Sequence, residues 1–273
     1  MQIEHEKYLL ILLVGVVPVL LFLSPLFLVA INSFLVKGEF TLENYLRFFS
    51  SQVYLKSLWN SLFIASITTV VIAPIGLLIV ASMEKYERGK KIVKLLTSLP
   101  LVFSSYVFCI ALIYIYGRTG MMNYILSVMG LEFPFSNLLY SITGIIFANV
   151  LFFLPYFIVP LFSSFEELNP RLEEVAESLG SHGFHKFRRV IFPQVLHSFI
   201  TGILLTFLLV FNQISVVLAL GAGRTYTLTY QLFAQYEGFQ YDMANTIAMI
   251  SIVVTLFVSA IFQMILKKVR RKG

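Results

Sequence analysis

The chain has 273 residues, of which 58% are hydrophobic and 12% are charged, whereas about 25% of residues are charged in an ordinary soluble domain. This composition excludes a water-soluble globular protein, and the single cysteine excludes an intrachain disulfide. The formal net charge of +6 does not indicate nucleic-acid binding, because the basic residues flank apolar stretches.

Charged residues divide the chain into six long uncharged stretches. A helix rises about 1.5 Å per residue, so about 20 apolar residues cross a hydrocarbon core about 30 Å thick. The uncharged runs at 119–131 and 225–236 are shorter, and we expect them to be interfacial or re-entrant at most. The pattern therefore predicts an all-α polytopic membrane protein with one transmembrane domain over residues 1–273. Its predicted spans cover approximately residues 9–33, 58–82, 95–116, 140–162, 197–220 and 243–266.

The first stretch has the position of a signal peptide but not its pattern. The uncharged run from 8 to 36 is longer than the hydrophobic region of a usual cleaved signal. Glu4 and Glu6 also interrupt what would be a basic N-terminal region. We expect this stretch to be a retained span.

The distribution of basic residues predicts the orientation of the spans. An even number of spans places both termini on the same side of the membrane, together with the second and fourth connections. Fifteen of the 20 Lys and Arg residues lie on that side and five on the other. Because short cytoplasmic segments carry an excess of Lys and Arg, we expect both termini to be cytoplasmic.

The cytoplasmic connection at residues 163–193 has the pattern of two short helices. Asn169 followed by Pro170 is typical of a helix start, because the amide caps free N–H groups and the ring needs no N–H partner. Gly180 suits a left-handed cap at the end of this helix, and Ser181 suits the start of a second one. The predicted apolar faces consist of Leu168, Leu172, Val175, Ala176 and Leu179 on the first helix, and Phe184, Phe187, Val190 and Ile191 on the second.

The same connection contains a set of residues at fixed spacing. Glu174-Val175-Ala176 is followed after three residues by Gly180 and after nine more by Val190, and Phe192-Pro193 completes the set. This arrangement resembles the EAA loop of binding-protein-dependent importer permeases, in which Glu-Ala-Ala, Gly, Ile and Leu-Pro stand at the same spacing. Three of the positions depart from the family pattern but remain apolar.

The resemblance implies a type I importer permease fold and a role in ATP-driven uptake across the bacterial inner membrane. The implied partners are two ATP-binding-cassette ATPase subunits, a second permease of the same or a different chain, an extracytoplasmic solute-binding protein and the lipid bilayer. The implied solute is small and polar or ionic, and the pattern is most similar to permeases for polyamines, phosphonates, sulfate, molybdate or iron. The residues assigned to ATPase coupling are Glu173, Glu174, Ala176, Leu179, Gly180, Phe184 and Pro193.

The chain itself is not expected to be an enzyme. It contains no Gly-x-x-x-x-Gly-Lys-Ser/Thr sequence, so it has no phosphate-binding loop for nucleotide hydrolysis. We expect ATP and Mg²⁺ to be bound by the partner ATPase, and no cofactor or metal by this chain. His182 and His185 stand three residues apart, but no third ligand joins them.

Amide side chains inside the spans are the candidates for lining a translocation pathway. Polar groups are costly in hydrocarbon and usually face the bundle interior or a water-filled path. Hydrogen bonding between helices, without solute contact, is the alternative role for the same side chains. The candidates are Asn60, Asn149, Asn212 and Gln213, of which the last two are predicted to lie in the middle of the fifth span.

Two other classes of function remain open from the sequence. An ion-coupled secondary transporter would be expected to carry ionisable residues within its spans, and these spans contain no acid. A membrane scaffold that docks a soluble partner through the 163–193 hairpin is the second alternative. ATPase stimulation by a loaded binding protein would separate the three.

Overall fold

The computed structural model describes residues 17–36, 38–83, 91, 95, 98, 102–117, 119–131, 138–221 and 225–270. Over these residues the chain is all-α apart from one short hairpin, in which β1 (Leu35–Val36) pairs antiparallel with β2 (Glu39–Phe40). The all-α prediction is confirmed. The described helices are α1 (Val17–Asn32), α2 (Glu43–Ser50), α3 (Gln52–Met83), α4 (Ser105–Tyr116), α5 (Met121–Val128), α6 (Ile142–Glu166), α7 (Pro170–Ser178), α8 (Gly183–Lys186), a π-helical turn (Phe187–Ile191), α9 (Phe192–Phe211), α10 (Ser215–Leu220), α11 (Leu228–Glu237) and α12 (Tyr241–Arg270).

Within the described part of the chain, five helical segments are long and apolar enough to cross a membrane. They run over Gln52–Met83, Ser105–Val128, Ile142–Glu166, Gly183–Phe211 and Tyr241–Val269, and they correspond to predicted spans two to six. The first predicted span is represented by the 16-residue helix α1, and its expected start at residue 9 lies outside the described residues. The six-span prediction therefore agrees with the helices that are described.

The predicted start of the third span, residue 95, lies in a stretch of which the structure describes residues 95, 98 and 102–104. The described helix α4 begins at Ser105, after Ser104 accepts a hydrogen bond from the backbone N–H of Tyr106. The following run, predicted to be interfacial or re-entrant, forms the eight-residue helix α5.

The chain divides into two compact units, 1–56 with 228–254 and 57–227 with 255–273. In the first unit, Ser33 and Tyr45 share a 2.7 Å hydrogen bond between their hydroxyls. The Thr246 hydroxyl donates to the Ser33 carbonyl at 3.0 Å, which fixes the start of α12 against the end of α1. In the second unit, α6 supplies much of the buried apolar surface, including Ile145, Phe157 and Leu161.

The fifth span is interrupted, and the prediction of one helix over residues 197–220 is wrong in this respect. Helix α9 ends at Phe211, and α10 begins at Ser215 after a short non-helical segment. Asn212 occupies the C-terminal cap, where its Nδ2 donates to the Leu208 carbonyl at 2.9 Å. The Leu208 carbonyl also accepts from the Asn212 backbone N–H at 3.2 Å, so the side chain adds a second hydrogen bond to the last turn before the break.

Candidate functional site

The connection at residues 163–193 begins as predicted. Helix α7 starts at Pro170, and Asn169 caps it by accepting a 3.1 Å hydrogen bond from the backbone N–H of Arg171. A carboxylate near this end is favoured by the helix dipole. Glu174 is exposed, whereas the side chain of Glu173 lies outside the described part of the structure.

Gly180 ends the first helix in the left-handed conformation that the sequence predicts. Its φ is +81°. The Ser181 N–H donates to the Ala176 carbonyl at 2.9 Å, and the Gly180 N–H donates to the Glu177 carbonyl at the same distance. These two bonds form a Schellman-type cap, in which a side chain with a Cβ is disfavoured. A Cβ on Gly180 would have no atom within 4 Å, so the requirement for glycine is conformational rather than steric.

The second helix of the hairpin starts later than predicted. His182, not Ser181, precedes α8, and no side chain caps its first turn. Gly183 adopts a φ of +58°, a second left-handed residue that moves the helix start past Ser181. The two hairpin helices are joined by an ion pair, in which Lys186 Nζ lies 3.0 Å from Glu177 Oε1.

Four of the large apolar side chains of the hairpin are exposed. Ala176, in contrast, is only 7% exposed. The predicted apolar face of α7 thus divides into a small buried residue and a larger outward row. Since exposed large apolar side chains grouped on one segment mark an interaction surface, this row is the outstanding surface feature of the hairpin. Its members are Leu172 (46% exposed), Val175 (56%), Leu179 (82%) and, on α8, Phe184 (75%).

The hairpin continues into the fifth span without interruption. Residues 183–211 form one helical segment, in which the turn Phe187–Ile191 is π-helical. The Phe192 N–H donates to the Phe187 carbonyl, five residues back. Pro193 follows at once. A proline lacks the N–H that bonds four residues back and its ring crowds that carbonyl, so a widened turn accommodates it without ending the helix.

Two of the predicted pathway amides lie on different helices of the second unit. Asn60, on α3, donates from Nδ2 to the Tyr226 carbonyl at 3.0 Å. Asn149, on α6, is 1% exposed, and its Oδ1 has no hydrogen-bond partner among the described residues. No hydrogen bond in the described part joins one of the four amides to another. Asn60 thus binds the backbone at Tyr226, in a segment that follows α10 in the chain. Asn149, in contrast, has a buried Oδ1 without a hydrogen-bond partner among the described residues.

Asn212 and Gln213 lie at the break after α9 rather than in the middle of a helix. Asn212 is exposed and Gln213 is half-buried. The Gln213 N–H donates to the Val210 carbonyl at 3.1 Å, which closes the last turn. Non-helical backbone in a membrane is tolerated where protein or water satisfies its polar groups. The polar groups at the break are therefore expected to meet either neighbouring protein or water.

The structure also shows polar groups that the sequence did not distinguish. Thr68 and Thr206 are 0% exposed, and their hydroxyls have no hydrogen-bond partner within the described residues. A threonine in an apolar stretch usually bonds a carbonyl of its own helix, so its sequence position gave no reason to select it. No cluster of three or more metal-binding side chains is found in the part of the chain that the structure describes.

Comparisons with known proteins agree with this arrangement. The family of binding-protein-dependent transport system inner membrane components matches residues 72–271. The spermidine/putrescine transport system permease protein PotB of Haemophilus influenzae is 31% identical over 76% of this chain and 73% of its own. A permease protein of Salmonella typhimurium named for 2-aminoethylphosphonate transport is 28% identical over 83% of this chain and 80% of its own.

A solved structure shows the same fold. A chain of a bacterial ABC transporter that imports the acidic polysaccharide alginate superposes with a TM-score of 0.83 at 16% identity, covering 98% of this chain and 97% of that one. The family match covers most of the sequence, including the hairpin and the break after α9. The chain therefore belongs to the binding-protein-dependent transport system inner membrane components, and it is a multi-pass permease subunit of an ATP-binding-cassette importer rather than an enzyme.

Proposed function

We propose that the 163–193 hairpin docks an ATPase subunit on the cytoplasmic face, and that its movement drives a small polar or ionic solute through the membrane. The exposed row Leu172, Val175, Leu179 and Phe184 carries the proposal, because a short helix with an apolar face fits a groove on a soluble partner. In this arrangement ATP and Mg²⁺ are bound by the partner. The permease acts as half of a dimeric membrane unit with a second copy or a different permease.

The coupling residues have distinct parts in this proposal. Leu179 and Phe184 are the apolar anchors, and Glu174 lies beside them as an exposed carboxylate. Ala176 packs inward and leaves room for a close approach of the helix. Gly180 sets the turn, and Pro193 lies where the hairpin continues into α9. Glu173 shares the first turns of α7 and is proposed to assist Glu174.

The orientation of the chain is part of the proposal. The basic residues of the hairpin include Lys186, Arg188 and Arg189, the last two exposed. An excess of Lys and Arg marks cytoplasmic segments. Both termini are then cytoplasmic, and the solute arrives from a binding protein on the opposite side. The solute class follows from relatives named for spermidine/putrescine and 2-aminoethylphosphonate transport.

The pathway is proposed to pass the break after α9. Asn212 and Gln213 would meet the solute there, since both lie on non-helical backbone and Asn212 is exposed. Asn60 holds the segment at Tyr226, close to the start of α3. Asn149 offers a free acceptor from α6.

Co-purification tests the docking surface directly. The permease is expressed with its ATPase, and the amount of ATPase retained on the purified permease is measured. Leu179→Asp and Phe184→Asp are expected to remove it, because each places a charge in the apolar contact. Val128→Asp is the matched control, since Val128 is 72% exposed at the end of α5, away from the hairpin. Retention of the ATPase by both hairpin variants would overturn the proposal.

A further inference from the structure

The ring of Phe157 lies in a slot between two glycines. Phe157 belongs to α6 and is 0% exposed. A Cβ placed on Gly76 of α3 would lie 2.4 Å from Phe157 Cδ1, and one on Gly202 of α9 would lie 3.0 Å from Cδ2. Cδ1 and Cδ2 are on opposite edges of the ring. The Phe157 side chain therefore fills the space between the backbones of α3 and α9, at positions where neither helix has a side chain of its own.

A line of aromatic contacts leads from this slot to the hairpin. Phe199 meets Phe157 edge-to-face, with ring centroids 5.6 Å apart and planes at 85°. Phe192 meets Phe199 in the same manner at 5.5 Å and 68°. Phe187 contacts Phe192 at 6.1 Å. Such separations are those at which aromatic pairs attract each other. The line is continuous over four rings and reaches from the π-helical turn to the centre of the α3, α6 and α9 packing.

The hairpin end of this line is the π-helical turn Phe187–Ile191. The π-helical hydrogen bond joins Phe187 and Phe192, which are also the two residues whose rings are in contact. The backbone bond and the ring contact therefore both depend on the geometry of this one turn. π-helical turns are rare and cluster at functional sites. Pro193 lacks the N–H that would stabilise an ordinary α-turn here. The Gln194 side chain adds a hydrogen bond in the same turn by donating to the Val190 carbonyl at 2.8 Å.

We propose that Phe187, Phe192, Phe199 and Phe157 are positioning residues that carry displacement of the hairpin to α3, α6 and α9. The inference rests on the proposed function, since the hairpin moves only if an ATPase grips it. A packed core transmits strain because it has few voids to absorb it. A shift at the π-helical turn displaces Phe199, and Phe199 displaces the ring held between Gly76 and Gly202. The three helices then move as one block.

The ratio of ATP hydrolysed to solute taken up tests this inference. Phe199→Leu and Phe157→Leu keep apolar volume but remove the edge-to-face contacts. In proteoliposomes containing the whole importer, each is expected to raise the ratio by about two- to thirtyfold, the range reported for mutations along packed networks. ATP hydrolysis itself should stay near the native rate, because the hairpin surface is unchanged.

Phe207→Leu is the matched control. Phe207 lies on the same helix as Phe199 and stacks on Phe211 at 6.1 Å, a pair that is separate from the four-ring line. Its replacement removes an aromatic contact on the same helix, a stacked one at a similar ring separation, and should leave the ratio unchanged. A ratio that rises equally in this variant, or that stays native in both Phe199→Leu and Phe157→Leu, would overturn the inference.

A second experiment tests the slot around Phe157 and remains informative if a single variant fails to fold. Gly76→Ala creates a contact too close for the Phe157 ring, and Phe157→Leu relieves it. We expect the double variant to recover the expression and thermal stability lost in Gly76→Ala while its coupling ratio stays high. Recovery of a native ratio would contradict the role of the ring. ATPase retention on the purified permease is measured for every variant, so failure of hairpin docking is seen separately from failure of the aromatic line.

Discussion

Replacing Gly180 measures how much the left-handed backbone conformation of this residue contributes to coupling with the ATPase. The residue has a φ of +81°, and a Cβ there would touch nothing within 4 Å. A Cβ therefore meets no neighbour, and the main effect of a substitution is the local cost of the left-handed conformation, about 1–2 kcal/mol. Such a free energy changes the equilibrium constant between the native turn and its alternatives by a factor of about 5–30.

The population of the turn determines the apparent affinity for the ATPase. A partner that binds one conformation has its affinity reduced by the fraction of protein in that conformation. Gly180→Val should therefore weaken binding of the ATPase subunit, by up to about 30-fold. Gly180→Asn should weaken it less, because asparagine tolerates the left-handed region. The measurement is a titration of the ATPase subunit onto the permease in lipid nanodiscs.

Gly130 provides a control with the same local geometry. It has a φ of +71° and open space around a Cβ. The Leu131 N–H donates to the Leu126 carbonyl at 2.9 Å, which is the same capping bond that Ser181 makes after α7. Gly130→Val should thus have a similar conformational cost without altering ATPase affinity. Equal effects of the two valine variants on that affinity, or no effect of Gly180→Val, would refute the reasoning.

Three further predictions concern the pathway, the hairpin and the orientation. Asn149→Leu should raise thermal stability if its unsatisfied amide is only structural, but a fall in uptake in that stable variant would assign it to the pathway. Lys186→Met should lower hairpin stability by only about 0.2–1 kcal/mol, because its partner Glu177 is half exposed; a larger loss in melting experiments would contradict this. A cysteine placed at Ser127 should react with an impermeant thiol reagent in intact spheroplasts, whereas one at Ser178 should react only after permeabilisation; the reverse pattern would invert the proposed topology.

The start and the end of α7 could be predicted from the sequence because local chemistry decides both. Asn169 caps the first turn with its own side chain, and Pro170 occupies a first position that needs no N–H partner. Gly180 accepts a conformation that other residues resist. The apolar stretches likewise predicted spans two, four and six within a few residues at most ends. In each case the physical cause lies within a few positions of the residue concerned.

The start of α8 could not be predicted in the same way. Ser181 has a favourable type for a cap, yet its hydroxyl is buried without a partner among the described residues. The difference arises at Gly183, the first residue of α8, whose φ of +58° changes the direction of the chain after Ser181. Glycine permits this conformation but does not require it. A local pattern therefore left two helix starts equally acceptable.

The slot around Phe157 depends on three segments that are far apart in sequence. Gly76, Phe157 and Gly202 each look ordinary in their own stretch. Glycine in a membrane helix permits close approach of another helix, but it does not state which one. The spacing of the aromatic residues likewise fits any apolar face. Only the packing of α3, α6 and α9 selects this combination.

The position of Asn212 follows from the length of the helix that precedes it. The segment Gly183–Phe211 has 29 residues, so it extends about 43 Å, which exceeds a hydrocarbon core of about 30 Å by about nine residues. Lys186, Arg188 and Arg189 lie at its start, and charged groups stay at the interface. The surplus is therefore at the hairpin end. In the proposed topology we therefore expect Asn212 near the opposite boundary of the core, where an exposed amide would meet water, rather than at the middle of the membrane as the uncharged stretch alone suggested.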